Sequence, residues 1–416
     1  MKLSLPVFLF FLFCAVDSIQ ARTLWENGTD SGDTFALNSA FKGAALQTNG
    51  PLMPADSEAI SLFFGRIRIE PLVHIGSLVL DAAYDNQLIE ESQPVSSFAV
   101  LPNTLPAPYR IKQIGGTVFQ SGTGKDYQEL DRLFAAYREE SFQVTLGRQA
   151  IGWGRATTFS AVDIFSPFTP FEFDREWKRG ADALRIEEKL SAETSGEIIL
   201  AAGPDWDDSE LGGRFRGETG RFDFEALAAK RARDSMWAGT TSAFLAGAEV
   251  HLEFALFHTP DDFPSEGFFG NRAWIPKGVA GISNNFQIGN GVASSFEYHY
   301  SGFGASSAAE FNQWVQIPSY QNRISRGDTQ IEGNQASVLT FDYTVNESWE
   351  VALEALQSLI DRSGAFIPNV TWTLSDRTSV LATALIAYGA GPTGTRINSQ
   401  FGSAAQLFIA QWRFYD

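Results

Sequence analysis

The chain has 416 residues, a formal net charge of −18 at neutral pH and a single cysteine, Cys14. The acidic balance argues against a nucleic-acid-binding protein, which must attract phosphates. Beyond Cys14 the sequence offers no disulfide, no thiol nucleophile and no Cys-x-x-Cys-His motif for attaching a c-type haem. We therefore predict that the chain binds no cofactor of its own.

The N-terminal residues have the layout of a secretory signal peptide. Residues 1–21 combine a basic start, an apolar run rich in Phe and Leu, and a polar end. The apolar run is shorter than the roughly 20 residues that a membrane-spanning helix needs, and a single-pass anchor is the alternative. We predict cleavage after Ala21 and one domain over residues 22–416.

The rest of the chain repeats a pattern in which apolar and polar residues alternate over about ten residues. In one such segment, Phe254 and Leu256 alternate with His251 and Glu253. The last segment repeats it, with Trp412 and Phe414 as its outer residues. Since the polar face carries full charges in the middle of the strands, both a soluble β-sandwich and a membrane barrel with a wet lumen fit the alternation.

The connections favour the barrel. Tight connections at sites such as Glu70-Pro71, Glu139-Glu140, Gly247-Ala248 and Ser375-Asp376 alternate with long ones, as periplasmic turns and external loops do in outer-membrane barrels. The long ones cover residues 87–127, 151–180, 259–276, 302–334 and 390–399. The predicted fold is all-β, a transmembrane antiparallel up-and-down barrel of about 18 strands. If residues 241–258 form one strand, the alternative is 16.

The barrel prediction places the chain in the outer membrane of a Gram-negative bacterium, in contact with lipid and lipopolysaccharide. Aromatic girdle candidates at the lipid interfaces are Trp237, Trp349, Trp372 and Trp412. A basic cluster near a predicted outer strand end either contacts lipopolysaccharide phosphates or is a set of solvated rim charges; it consists of Lys230, Arg231 and Arg233. The sequence allows an oligomer without indicating its size.

Residues 141–187 carry the most distinctive motifs. They contain, in order, Gly147-Arg148-Gln149, Trp153-Gly154, Val162-Asp163-Ile164-Phe165-Ser166-Pro167 and Arg179-Gly180-Ala181-Asp182-Ala183-Leu184-Arg185. This segment resembles a group of Gram-negative porin-like outer-membrane proteins, although Ala161-Val162 stands where that group tends to have Pro-Thr. The resemblance implies a channel for passive diffusion of small solutes or ions. Some members resemble the barrel of porin–cytochrome conduits, which implies an alternative role as the sheath of a periplasmic multihaem cytochrome.

The long segment within these motifs lacks a strand pattern but is rich in aromatic residues, including Trp153, Phe159, Phe165 and Trp177. Because so much apolar surface must be buried, we predict that the segment folds inward and narrows the lumen; a lid packed on the rim is the alternative. The predicted pore and constriction residues are Arg148, Asp163, Asp174, Arg175, Arg179, Asp182, Arg185, Glu187, Arg221, Asp223, Glu225, Glu253, Glu297, Glu350 and Glu354. Further inward-facing candidates are Arg66, Arg68 and Lys189.

Two expectations follow from these charges. Arg148 and Arg185 are expected to pair with Asp163 or Asp182, since a guanidinium bonds a carboxylate at two points. Both signs occur in the predicted lumen, so strong ion selectivity is not expected, although the acidic excess favours cations.

An enzyme is the least favoured interpretation. His251 and His299 lie two residues from Glu253 and Glu297, and a histidine beside a carboxylate can act as a general base. However, alternation along a strand produces that spacing by itself. A metal site built from His251, His258 and His299 lacks a supporting motif, and we predict neither catalysis nor a bound metal.

Overall fold

The alternating segments form strands wherever apolar and polar residues take opposite faces of a pleated backbone. The computed structural model describes residues 27–28, 33–49, 59–92, 107, 109–168, 172, 174–260, 273–394 and 396–416. The predicted signal peptide and its cleavage site lie outside these residues and stay predictions. The described strands are β1 (Asn27–Gly28), β2 (Thr34–Asn49), β3 (Ile60–Ile75), β4 (Leu78–Glu91), β5 (Gly115–Ser121), β6 (Gly124–Arg138), β7 (Phe142–Ala150), β8 (Gly180–Lys189), β9 (Thr194–Ala201), β10 (Glu210–Thr219), β11 (Phe222–Arg231), β12 (Asp234–Leu245), β13 (Ala248–His258), β14 (Trp274–Phe286), β15 (Val292–Ser301), β16 (Gln335–Asn346), β17 (Trp349–Ser358), β18 (Gly364–Ser375), β19 (Thr378–Tyr388) and β20 (Gln406–Tyr415).

Eighteen of these strands close into an antiparallel barrel. Each barrel strand pairs with its neighbours along the chain, and β20 returns to pair with β2 from Ala40↔Tyr415 to Asn49↔Gln406. The other two strands are not part of the closed ring. β1 pairs with the start of β2, and β5 pairs with residues 124–129 of β6, which lie beyond the part of β6 that pairs with β7. The prediction of an 18-strand up-and-down barrel is confirmed, and closure leaves no sheet edge to be satisfied by lipid.

The two ends of the barrel differ, as the connection lengths predicted. At the turn end, short connections join β3–β4, β6–β7, β8–β9, β10–β11, β12–β13, β14–β15, β16–β17 and β18–β19, and the start of β2 and the end of β20 also lie there. At the loop end lie the long connections, including residues 151–179 between β7 and β8 and residues 302–334 between β15 and β16. The turn between β12 and β13 is Ala246-Gly247, and both residues have positive φ, 51° and 89°, as a two-residue hairpin turn requires. Because this turn makes β12 and β13 separate strands, the barrel has 18 strands rather than 16.

Two predicted turns are wrong in position. Glu70-Pro71 is part of β3, which continues to Ile75 before a turn at Gly76-Ser77. The pairing of β3 with β4 skips Glu70 and Pro71, because proline has no N–H to donate to the ladder. The glycines at 217 and 220 also predict a turn over Gly217 to Gly220, but Gly217 lies inside β10 and the chain turns at Gly220-Arg221.

Apolar side chains cover the outside of the barrel. On β13, Leu252 and Phe254 are about half exposed, whereas Glu253 between them is buried. Aromatic residues gather near both ends of this apolar belt: Trp349 stacks on Trp372 at a centroid distance of 5.3 Å, and another tryptophan pair lies toward the loop end. An apolar exterior of this extent on a closed barrel requires a membrane around it.

Two short helices fold into the loop end of the lumen. Helix α1 (Ala308–Trp314) begins at Ser307, whose hydroxyl accepts from the Glu310 N–H, and α2 (Pro318–Ser325) begins with proline, which suits the first helical turn. Trp314 packs edge-on against Tyr320, which is fully buried. Within the described residues, no helix is long and apolar enough to cross a membrane.

These helices change the interpretation of the predicted basic rim cluster. Arg231 is buried and pairs with Asp328, 2.7 Å away, in the connection that follows α2. Burial alone would raise the pKa of Asp328, but Arg231, Arg326 and Arg323 outweigh it and keep the pKa below its ordinary value. Arg231 is therefore neither a rim charge nor a lipopolysaccharide contact, because it holds the helical segment inside the barrel.

Phe254→Lys tests the lipid-facing assignment. A lysine in the middle of the apolar belt is expected to lower the free energy of unfolding in phospholipid vesicles by about 2–4 kcal/mol. Ala293→Lys is the control, because Ala293 is an exposed inward-facing position of β15, and its cost is expected to stay below about 1 kcal/mol. Equal costs at both positions would contradict the assignment of faces.

Candidate pore and constriction

We call residues 151–179 the inner loop; its described residues, 151–168, 172 and 174–179, run through the lumen instead of covering the rim. Phe159, Ala161, Val162 and Ile164 are fully buried among inward-facing wall residues. Trp153 packs edge-on against Phe165 of the same loop, with ring centroids 4.9 Å apart. The aromatic and aliphatic side chains of the inner loop are thus buried inside the barrel, as predicted from their number in this segment.

One wall contact of the inner loop is made by Glu253 on β13. One carboxylate oxygen accepts from the backbone N–H groups of Arg155 and Ala156, at 2.5 and 2.9 Å. The other accepts from the Ala161 N–H at 2.8 Å and the Ser160 hydroxyl at 3.1 Å. The Glu253 carboxylate therefore accepts hydrogen bonds from three backbone N–H groups of the inner loop, which has no helix or strand to provide acceptors for them.

Glu297 on β15 does the same for the next residues. It accepts from the backbone N–H groups of Thr157, Thr158 and Phe159, at 2.6, 3.0 and 3.3 Å. His251 lies 3.1 Å from the same carboxylate, and the His299 ring stacks on Phe159 at a centroid distance of 4.7 Å. His251 and His299, the two histidines of the enzyme interpretation, therefore both contact groups that hold the inner loop in place.

The return half of the inner loop is bound at the opposite wall. Lys42 on β2 donates to Asp174 at 2.8 Å and to Glu176 at 2.5 Å. The Trp177 ring stands over the cations of Lys42, Arg66 and Arg68, at 3.8, 4.7 and 5.0 Å from its centroid. We call these residues the Trp177 cluster; they are Lys42, Arg66, Arg68, Asp174 and Trp177.

The basic side chains of the Trp177 cluster are neutralised where they lie. Arg66 pairs with Asp85 at 2.8 Å, and Arg68 pairs with both Asp85 and Asp131. Lys42, Arg66 and Arg68 are at most 3% exposed. Burial would raise the pKa of Asp174, but Lys42 and Arg66 hold it below its ordinary value. Its stabilising charge is therefore present above the ordinary carboxyl pKa and is lost as the pH falls through the lowered value.

Ion pairs also hold the base of the inner loop. Arg179 donates to Glu129 at 2.9 Å, and Lys178 pairs with Asp163. Asp131, the extra residue of a β-bulge in β6, accepts from the Gly180 N–H at 3.1 Å. The bulge turns a second acid toward the loop and so fixes the point where β8 begins.

The wall formed by β8 to β11 carries alternating charges that pair across strands. Glu197 accepts from Arg185 at 2.6 Å, from Arg214 at 3.0 Å and from the Trp153 indole N–H at 2.8 Å. Two further pairs on this wall are Arg185–Glu187 and Arg216–Glu225, and Arg155 of the inner loop pairs with Asp223 of the wall. The mixed-sign lumen expected from the sequence is present here as a network of ion pairs.

Several predicted pore residues lie elsewhere. Arg148 and Asp182 do pair with each other, at 2.6 Å, but on the face of their strands that also carries the outward-facing Leu146 and Leu184. Residues 109–112 cover them there, through bonds to Arg148 and Asp182. Arg185 pairs with neither Asp163 nor Asp182, since its partners are on its own wall.

One more correction concerns the turn end. Arg221 belongs to the Gly220-Arg221 turn and is exposed, so it does not line the lumen. This assignment failed because alternation does not show where a strand begins. Glu350 takes the inward face of β17, as predicted, and is exposed two residues after the Glu347-Ser348 turn.

Four residues on which the loop contacts depend were not predicted from the sequence. Lys42, Asp85, Asp131 and Glu197 were not selected, although the alternation of Lys42 with Phe41 and Gly43 was a usable signal. Asp131 gave no such signal, because the bulge breaks the alternation at that position.

Two cavities remain on the side of β12 to β20. The larger, about 630 Å³, opens between the inner loop and the strands toward the turn end and is lined mainly by Ser, Thr, Asn and acidic residues. The smaller, about 200 Å³, is partly apolar. No group of three or more potential metal ligands occurs among the described residues, and His258 faces outward against Trp274.

No family model matches the chain, and no curated protein does. Solved structures do resemble it. Acinetobacter baumannii OccAB1 aligns at a TM-score of 0.55 and 7% identity over 95% of this chain and 99% of that one. Pseudomonas aeruginosa OccK11 (OpdR) aligns at 0.56 and 9%, over 92% and 95%. P. aeruginosa OpdK with vanillate aligns at 0.53 and 8%, over 91% and 98%.

These neighbours are outer-membrane porins of the OccD/OprD family. At such low identity the likeness concerns the fold. The chain therefore has the fold of an outer-membrane porin barrel, in agreement with its apolar belt. The neighbours do not test the motif of residues 141–187 or the resemblance to porin–cytochrome conduits.

Glu297→Gln is expected to loosen the inner loop. The amide presents one acceptor instead of two oxygens to the donors of residues 157–159, and the free energy of unfolding should fall by about 3 kcal/mol. Hydrogen exchange of residues 155–161 should quicken. Glu350→Gln is the control, because Glu350 is exposed on a nearby strand. Unchanged protection in Glu297→Gln would contradict the role of the carboxylate.

Gly212→Ala tests the contact between Trp153 and the wall. A Cβ at Gly212 would lie 2.5 Å from the Trp153 ring, so the ring must move away from Glu197. The expected cost is about 1–3 kcal/mol. Gly213→Ala is the matched control: its nearest contact is an ordinary 3.6 Å, and the gain in backbone stiffness makes it neutral or slightly stabilising. Equal effects of the two variants in urea unfolding would refute the contact.

Proposed function

We propose that this protein is an outer-membrane channel for passive diffusion of small solutes, with the inner loop as its constriction. The observation that carries the proposal is the bridging of the lumen by one loop, bound to β13 and β15 on one side and to β2 and β3 on the other. A loop fixed at two opposed walls narrows a lumen without closing it on every side. The cavities beside it give water a place within the barrel.

The likeness to outer-membrane porins supports the proposal. One of those neighbours was solved with vanillate, and a small organic solute is accordingly a reasonable class of cargo for this chain. Polar linings with mixed charges and a narrow point are the features through which channels select by size and charge.

The alternative role, a sheath for a periplasmic cytochrome, rests on the sequence resemblance alone. The inner loop and helices α1 and α2 occupy much of the loop half of the lumen with buried side chains such as Phe159 and Tyr320. A second protein would have to displace them. A cytochrome partner stays a prediction, and copurification of a haem protein would test it.

Planar-bilayer recording of the purified protein tests the channel directly. The wild type should give discrete conductance steps, and Trp177→Ala should enlarge them about twofold or more, because it removes the ring that contacts three wall cations. Trp206→Ala is the control, since Trp206 lies in an external loop over Lys230 only. A wild type that folds in detergent but conducts nothing would refute the channel.

A further inference from the structure

The two cavities meet at one ion pair. Both are lined by Arg175 of the inner loop and by Glu354 on β17, with Asn369 on β18 beside them. From the larger cavity, a solute moving between the loop and the strands β16 to β18 therefore reaches the smaller one by passing Arg175 and Glu354. This junction is the point at which the two cavities meet.

The pair at the junction is loose compared with the other contacts of the inner loop. The Arg175 Nη1 atom lies 3.8 Å from Glu354 Oε2, beyond hydrogen-bonding distance, whereas Lys42–Asp174 and Arg179–Glu129 are at 2.8 and 2.9 Å. The Glu354 side chain is only 14% exposed, and its Oε1 has no hydrogen-bond partner among the described residues. A buried carboxylate oxygen without a donor is costly unless water or a solute supplies one.

The charges around the larger cavity are mostly negative. Its lining includes Glu249, Asp342 and Glu354, and Arg175 is the one basic residue among the described residues that line it. Glu249 and Asp342 are exposed on the inward faces of β13 and β16. By contrast, the basic stripe of Lys42, Arg66 and Arg68 is buried and paired, so it offers little charge to a passing ion.

We propose that the conducting route runs between the inner loop and the β16–β18 wall, and that Glu354 makes this route select cations over anions. The inference rests on the proposed channel function and adds its charge preference and the residue that sets it. At a narrow junction shielded from bulk water, a carboxylate with an unsatisfied oxygen attracts a cation and repels an anion far more than a rim charge does. Arg175 opposes this preference from the other side of the junction.

The test is the reversal potential of single channels under a tenfold KCl gradient. The wild type is expected to pass K⁺ in preference to Cl⁻. Glu354→Gln should lower the permeability ratio about threefold or more, and Arg175→Gln should raise it. Glu354→Asp keeps the charge and should keep the sign of the preference. Glu347→Gln, in the exposed turn between β16 and β17, is the matched control and should leave the ratio unchanged.

The outcomes separate the two proposals. Absence of any conductance from the folded wild type overturns the channel and with it the route. Conductance with no cation preference, or with a preference that Glu354→Gln leaves unchanged, overturns only the route and the role of Glu354. An equal change in Glu347→Gln would mean that overall charge sets the selectivity, and this also overturns the role of Glu354. Heat-dependent migration of each variant in detergent gels checks that the barrel has formed.

Discussion

The structure inside the barrel depends on carboxylates of the wall that accept hydrogen bonds from the backbone of the inner loop. A segment without helix or strand cannot be buried unless its N–H groups find acceptors. Glu253 and Glu297, which lie two strands apart on the same wall, supply acceptors for residues 155–159 and for Ala161. An ionised carboxylate suits this role because it only accepts, and because charge strengthens each bond.

The opposite wall complements this arrangement with cations. Lys42, Arg66 and Arg68 meet a loop that carries Asp174, Glu176 and Trp177, so the same loop meets acids on one side and bases on the other. Lys42, Arg66 and Arg68 each have an acidic partner nearby, and burial without one would be strongly unfavourable. Many of the charged residues that the sequence pattern places in the lumen therefore form ion pairs or hydrogen bonds with the inner loop, and these charges are not free to interact with a solute.

Alternation and the lengths of the connections were sufficient to predict the number of strands, most of their positions, a tight turn at Gly247 and the inward face of Glu253, Glu297 and Glu354. These features depend on neighbours in the sequence. The partners of those residues could not be predicted, because each ion pair joins segments far apart in the chain, as Lys42 and Asp174 show. The exact ends of the strands were equally hard to predict, which is why Arg221 was misplaced.

The loop is not bound equally on all sides, and this asymmetry bears on where a solute can pass. Toward β13, β15, β2 and β3 the contacts are short hydrogen bonds and buried ion pairs. Toward β17 the described contact is the 3.8 Å pair of Arg175 and Glu354, and the cavities lie on that side. Opening a route there separates an ion pair that is already long, whereas opening one beside Glu297 would leave several backbone donors without acceptors. The firm attachment of the loop on two walls therefore directs any passage to the third.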